Sequence, residues 1–92
     1  MKRLIRVSPD TLYRDLHGEG ILLQLETGQY FGLGKVAHRI WQLILEHREL
    51  SLVEVTLLSE YPVDPATLSR DLDRFVDQLV EKKLVEIEIL PV

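Results

Sequence analysis

The chain has 92 residues, 46% of them apolar and 28% charged, which is typical of one globular domain spanning residues 1–92. It has no cysteine, which excludes a disulfide scaffold, thiolate metal ligands and a cysteine nucleophile and suits a reducing cytoplasm. A formal net charge of −4 disfavours nucleic acid as a partner. No apolar run approaches the ~20 residues of a membrane span, and MKRLIRV lacks the apolar region of a signal peptide, so we expect no membrane partner.

Period-two alternation of residues predicts an N-terminal three-stranded antiparallel sheet. Its strands are Leu12–Leu16, a strand from Ile21 to Leu25 in which Leu22 and Gln24 occupy the alternate positions, and Gln29–Leu33. The segments 17–20 and 26–28 are glycine-containing turns, and Gly28 can adopt the positive φ that a tight turn needs. A shorter strand, Leu4–Val7, is expected before Pro9, which has no N–H for a strand ladder.

The strand Gln29–Leu33 is short, contains a glycine and is followed at once by a helix, so we expect it at a sheet edge. An edge strand offers unpaired N–H and C=O groups to an added peptide strand. Tyr30 and Gly32 share one face, and Tyr30 is a candidate contact or an ordinary surface tyrosine. Phe31 and Leu33 lie on the opposite face, which we expect to join the core.

Three helices are predicted after this sheet. The first spans about Lys35–Glu46 and carries Trp41 into the core. The second begins near Ser51, where Ser51 and Glu54 have the spacing of a capping box; Leu52, Val55 and Leu58 share one of its faces, and it ends at Tyr61–Pro62.

The third helix begins after Asp64, a capping residue, with Pro65 at its first position. Its apolar stripe consists of Leu68, Leu72, Phe75, Val76 and Leu79. Residues from Leu84 onward alternate again and predict a last strand that ends at Pro91. The order of elements predicts an α+β fold, a winged helix-turn-helix with an N-terminal three-stranded antiparallel sheet and three helices.

This architecture suggests a DNA-binding regulator, but the expected exposed face of helix three carries four acidic and two basic residues, which phosphates would repel. Catalysis is also disfavoured. His17, His38 and His47 lack the spacing of a metal pair and are expected to be solvated or locally bonded, and no nucleophile has a base beside it. We therefore expect no enzyme activity, catalytic residue, metal or cofactor.

The segment LETGQYFGLGKVAHRIW, together with Tyr61–Asp64 and the helix-three pattern Asp71-Leu72-x-x-Phe75-Val76-x-x-Leu79, resembles the PqqD family over nearly the whole chain. The chain departs from the family pattern at Gly34, Ala37 and Lys83. Family members are recognition elements for ribosomally synthesised and post-translationally modified peptides (RiPPs). They hold the leader of a precursor peptide while partner enzymes modify its core.

The resemblance implies that a precursor leader peptide adds as a strand beside Gln29–Leu33, in a groove with helix three. The family's helix-three aspartate matches Asp71, which favours the flank of Asp71 over that of Ser69, Asp73 and Asp77. Arg74 either pairs with a leader carboxylate or forms an ion pair within its own helix. The predicted peptide-binding residues are Gln29, Tyr30, Phe31, Gly32, Leu33, Thr67, Asp71, Arg74 and Gln78.

A single-domain chain most resembles the separate leader-binding protein of lasso-peptide systems, which works with a separate leader peptidase. The peptide chaperone of quinone-cofactor biosynthesis is the alternative within the family.

Overall fold

The computed structural model describes residues 2–91, which form five strands and three helices in an α+β arrangement. The elements are β1 (Lys2–Val7), β2 (Thr11–Leu16), β3 (Glu19–Gln24), β4 (Gln29–Leu33), α1 (Lys35–His47), α2 (Leu50–Glu60), α3 (Pro65–Glu81) and β5 (Val85–Leu90). The predicted three-stranded antiparallel sheet is confirmed, with the order β2-β3-β4. Over residues 2–91, no helix has the length and apolar character needed to cross a bilayer.

The turn between β2 and β3 is tighter than predicted. Leu16 pairs with Glu19, so only His17 and Gly18 lie outside the ladder. Both have positive φ, 55° and 88°, as a two-residue hairpin turn of type I′ requires. In the second turn Gly28 has φ 75°, and its N–H donates to the carbonyl of Gln24 at 2.7 Å.

A second sheet joins the two ends of the chain. The sequence predicts both strands but not their pairing: β1 runs antiparallel to β5, with Ile5 opposite Ile87. The N–H of Ile5 also donates to the carbonyl of Arg48 at 2.7 Å, which ties β1 to the loop between α1 and α2. The hydrophobic core therefore lies between two small sheets and the helices.

The core is centred on α1, as the sequence predicts. Trp41 and Ile44 are fully buried, and they pack with buried residues of both sheets and the other two helices. Besides these two residues, the buried apolar residues of the core are Ile5, Leu22, Leu33, Ile40, Leu43, Leu50, Val53, Leu57, Leu72, Val76, Leu79, Leu84 and Val85.

The capping box predicted at the start of α2 is wrong. The helix begins at Leu50, and Glu49 occupies the N-cap position without a side-chain hydrogen bond to the helix backbone. The hydroxyl of Ser51 instead donates to Oε1 of Glu49 at 2.9 Å. The helix therefore begins one residue before the predicted start at Ser51. The loop before α2 is held by a hydrogen bond from β1 and not by a serine cap.

The sequence groups Leu52, Val55 and Leu58 on one face of α2, but the structure buries a different face. Leu50, Val53 and Leu57 are buried, whereas Leu52 and Val55 are exposed. Both sets of residues have helical spacing, so periodicity did not distinguish them. Contacts of α2 with α1, α3 and β1 decide which set faces inward.

Helix α3 begins as predicted. Oδ2 of Asp64 accepts hydrogen bonds from the backbone N–H of Thr67 at 3.0 Å and from its hydroxyl at 3.2 Å, and Pro65 is the first helical residue. In the apolar stripe Leu72, Val76 and Leu79 are buried. Leu68 and Phe75 are only partly buried and pack against the edge of the core.

Candidate functional site

Strand β4 lies at an edge of its sheet, which confirms the prediction from sequence. It pairs with β3 on one side, and on the other side no strand within residues 2–91 pairs with it. Alternate residues of such a strand direct N–H and C=O groups away from the sheet. The edge can therefore pair with an extended peptide.

The side chains of β4 divide between the two faces as predicted. Phe31 is half-buried and Leu33 is buried, and both belong to the core side. Tyr30, which is 70% exposed, and Gly32 lie on the outer face, and Gln29 is exposed at the start of the strand. Main-chain atoms and Tyr30 are therefore the parts of β4 that an added strand can contact without repacking of the core.

An apolar cavity of about 220 Å³ opens between the three helices. Ile40, Leu57 and Leu72 are its buried lining residues. The remaining lining residues are Val36, Tyr61, Val63, Thr67, Leu68 and Asp71. Its mostly apolar lining with few polar groups has the character of a pocket for an apolar side chain.

The cavity lies close to one end of β4. Val36, a lining residue, is three residues after Leu33, so their Cα atoms are at most about 10 Å apart. An end of β4 and one wall of the cavity therefore belong to neighbouring parts of the chain. The structure therefore has an open strand edge and, beginning three residues after that strand, the lining of a side-chain pocket.

Two of the four candidates on α3 belong to this cavity. Thr67 and Asp71 line it, whereas Arg74 and Gln78 are exposed but not among its lining residues. The hydroxyl of Thr67 is held by Asp64, so its orientation is fixed. Asp71 is exposed and is the one charged residue in the lining, which makes it the main electrostatic feature of the pocket.

The two flanks of α3 differ in their ion pairs. Arg74 takes part in no ion pair within residues 2–91, so the predicted alternative of an intrahelical pair with Asp71 or Asp77 is not formed there. Asp73, on the opposite flank, pairs with Arg3 of β1 at 3.0 Å. The flank of Asp71 and Arg74 is therefore the one that β1 leaves open.

Residues 19–85 match the family described as coenzyme PQQ synthesis protein D (PqqD). The chain belongs to the PqqD family. The resemblance stated from its sequence motifs is thereby confirmed.

Two solved structures are similar to this PqqD family member. One is described as TbiB1 in complex with the TbiA(beta) leader peptide; it is 37% identical, has a TM-score of 0.84, and the alignment covers 88% of this chain and 94% of the other. The second is described as lasso peptide synthetase B1 complexed with the leader peptide. It is 28% identical, has a TM-score of 0.79, and the alignment covers 95% of this chain and 98% of the other. Among curated proteins, none matches the chain.

An ion pair stabilises the helices beside the cavity of this PqqD family member. Nε and a terminal nitrogen of Arg39 donate to the two carboxylate oxygens of Glu60 at 2.8 and 2.6 Å. The hydrogen bonds from Arg39 lower the pKa of the Glu60 carboxyl below its ordinary value. Because Arg39 and Glu60 precede the lining residues Ile40 and Tyr61, this pair fixes α1 against the end of α2 at the cavity wall.

A buried histidine, His38, connects the β2–β3 hairpin to α1. The sequence did not predict this contact. His38 is 2% exposed; its Nδ1 lies 3.0 Å from the carbonyl oxygen of Gly18, and its Nε2 contacts the hydroxyl of Tyr13. A carbonyl only accepts, so Nδ1 carries a proton and donates to it, and in a neutral ring Nε2 then accepts from the Tyr13 hydroxyl. Burial is the largest cause that raises the pKa of Tyr13, which keeps this hydroxyl protonated as the donor.

His38 therefore fixes the β2–β3 hairpin to α1, and this positions the whole sheet, including β4.

Within residues 2–91 no group of three or more His, Cys, Asp or Glu residues could hold a metal ion. Sequence reasoning also missed the exposed Val36 and Val63 of the cavity. Their signal was the presence of apolar residues at positions where a helix start and a loop normally carry polar ones.

Proposed function

We propose that this PqqD family protein binds the leader segment of a ribosomally synthesised precursor peptide by β-strand addition at β4. The observation that carries the proposal is the unpaired edge of β4, and the apolar cavity whose lining begins at Val36, three residues after that strand, supports it. Similarity to two chains solved in complex with leader peptides supports it. The protein presents the bound precursor to a separate maturation enzyme such as a leader peptidase, as in lasso-peptide systems.

Binding combines two kinds of contact. Main-chain hydrogen bonds to β4 supply affinity that tolerates many leader sequences. The cavity supplies selectivity, because it takes up an apolar leader side chain and places Asp71 beside it. Arg74 and Gln78 lie one and two helical turns after Asp71 on α3, and they contact polar leader groups outside the cavity.

In this proposal the protein is a binding module, not an enzyme, and acts in the cytoplasm without a cofactor. The pair α2–α3 corresponds to the helix-turn-helix of a winged fold, whose reading helix here serves peptide recognition. The charges on α3 favour peptide recognition over DNA binding. Its exposed acidic residues outnumber its exposed basic ones, and DNA phosphates would repel the acidic side chains. The acidic residues are Asp71, Asp77 and Glu81, and the basic residues are Arg70 and Arg74. Retention on duplex DNA with a steep salt dependence would instead favour the regulator.

The test is a fluorescence anisotropy titration of the purified protein with the leader half and, separately, the core half of the precursor encoded beside it. We expect saturable binding of the leader half tighter than about 1 μM, equivalent to about −8 kcal/mol, and none of the core half. Equal binding of both halves, or no binding of either, would refute leader recognition.

Substitutions on α3 locate the site. We expect Asp71→Ala to weaken leader binding about tenfold and Arg74→Ala to weaken it less, since only Asp71 lines the cavity. Asp77→Ala is the matched control: the same exposed residue type on the opposite flank of the same helix, with unchanged affinity expected. Unchanged affinity in both Asp71→Ala and Arg74→Ala would move the groove elsewhere.

A further inference from the structure

The surface of α2 that faces away from the core is free of charge. Leu52, Val55, Thr56 and Ser59 follow the spacing i, i+3, i+4 and i+7 and form one stripe, here named the outer stripe. Leu52 and Val55 are 44% and 64% exposed. Exposed helix faces in water normally carry charged residues, so this stripe is an unusual surface for a protein in which 28% of residues are charged.

The two hydroxyl groups of the outer stripe are already satisfied within the helix. The Thr56 hydroxyl donates to the carbonyl of Leu52 at 2.8 Å, and the Ser59 hydroxyl donates to the carbonyl of Thr56 at 2.6 Å. These side chains therefore present mainly their carbon atoms to a partner. Covering the stripe removes apolar surface from water without leaving an unpaired donor, which makes it suited to a protein interface.

The charged side chains of α2 itself have one sign, although the exposed Arg48 lies just before its N-cap. The charged residues of α2 are Glu54 and Glu60, and Glu49 stands at its N-cap. Glu60 is paired with Arg39, whereas Glu49 and Glu54 take part in no ion pair within residues 2–91. A second copy of this acidic chain would bring like charges together, whereas an apolar groove bordered by Lys or Arg would complement the stripe.

The outer stripe also lies apart from the proposed leader site. Leu57, which lines the cavity, is on the opposite side of α2 from Leu52 and Ser59. A leader held by β4 and the cavity therefore leaves the stripe accessible. One face of the molecule can hold the peptide while α2 contacts another protein.

We infer that the outer stripe is the docking surface for the maturation enzyme that acts on the bound precursor, through an apolar groove with a basic rim on that enzyme. The inference rests on the proposed function and adds to it the surface and the chemistry of the second partner. It also accounts for the exposure of Leu52 and Val55, which are not among the residues packed against the core.

The experiment measures affinity for the leader peptidase that cleaves the precursor, by biolayer interferometry with the intact protein immobilised and saturating leader present. We expect Val55→Arg to weaken this association at least tenfold and Leu52→Lys to have a similar effect. Val80→Arg is the matched control, because Val80 is an exposed helical valine on α3, away from the stripe. We expect it to leave the affinity unchanged, and we expect wild-type affinity to fall as salt is raised.

Leader binding is measured on the same variants by anisotropy, so the two proposals fail separately. Retained leader binding with lost enzyme association in Val55→Arg and Leu52→Lys supports the inference. Enzyme association equal to wild type in both variants, or no association of the wild-type protein, overturns it while leader binding stands. A concentration-dependent dimer that Val55→Arg abolishes, with enzyme affinity unchanged, assigns the stripe to a second copy and also overturns it. Absence of leader binding in the wild type refutes the proposed function itself.

Discussion

Replacing Gly20 by alanine adds a methyl group where β3 crosses the buried His38. A Cβ atom at this position would lie 2.7 Å from Cδ2 of His38 and 3.2 Å from Cδ1 of Leu33. The leucine can rotate away, but His38 is held at both ring nitrogens, by Gly18 and Tyr13. The clash therefore has to be relieved by movement of the sheet relative to α1.

We expect the substitution to destabilise the protein by about 1–2 kcal/mol. Overpacking a well-packed core costs roughly 1–3 kcal/mol, and the entropic gain of alanine over glycine in a strand offsets about 0.5–1 kcal/mol of it. For a domain of this size the corresponding fall in Tm is roughly 4–8 °C for each kcal/mol. The assay is urea unfolding followed by circular dichroism, with thermal unfolding as a second measurement.

Gly32→Ala is the matched control, since a Cβ there has no neighbour within 4 Å. We expect it to be neutral or stabilising by about 0.5 kcal/mol. A double-mutant cycle with His38→Ala then tests the cause, because the penalty of Gly20→Ala should disappear once the imidazole is absent. An unchanged penalty in that background, or equal effects at Gly20 and Gly32, would refute the reasoning.

Three further predictions concern α3 and the ion pair at the cavity. Phe75→Ala should cost about 2–3 kcal/mol, less than the ~3–5 kcal/mol of a fully buried aromatic, because Phe75 is only partly buried. Asp64→Ala should cost about 1 kcal/mol in urea unfolding, through loss of the cap on the Thr67 N–H. Arg39 lowers the pKa of Glu60 below its ordinary value near 4.5. Above pH 4.5 the wild type should therefore be more stable than Glu60→Gln. It should lose this advantage as the pH falls through the lowered pKa of Glu60.

Each of these predictions has a control in the same element. Asp77→Ala should change stability by less than about 0.5 kcal/mol, so an equal effect of Phe75→Ala would show that the phenylalanine does not pack. Asp64→Asn should restore most of the cap, and a deficit equal to that of alanine would exclude capping as the cause. Glu54→Gln should not alter the pH dependence, and a constant difference between wild type and Glu60→Gln from pH 3 to pH 7 would contradict the ion-pair argument.

The hairpin and α3 were predictable because their signals are local. Gly28 marks a turn that only the backbone of a few residues has to satisfy, and Asp64–Pro65 fixes a helix start through atoms within one turn. The buried face of α2 was not predictable, for the opposite reason. Its apolar residues surround the helix, so the choice between the face of Val53 and that of Val55 depends on which neighbours pack against it.

The candidate site divides in the same way. The sequence identified β4 and its two faces, since alternation determines which side chains share a face. The choice of the Asp71 flank of α3 came from the family resemblance and stays a prediction. The sequence did not identify the cavity, because Val36, Leu57 and Val63 come from separate parts of the chain and meet only when the three helices pack.

The sequence by itself determined the order of strands and helices, because each element depends on residues close together in the chain. It also predicted the edge position of β4 and, from motifs spread over nearly the whole chain, the PqqD family. The tertiary structure decided the pairing of β1 with β5, the buried face of α2, the cavity beside Asp71 and the place of His38 under the sheet. These features arise from contacts between residues far apart in sequence, whose free energy depends on shape and burial that no local pattern encodes.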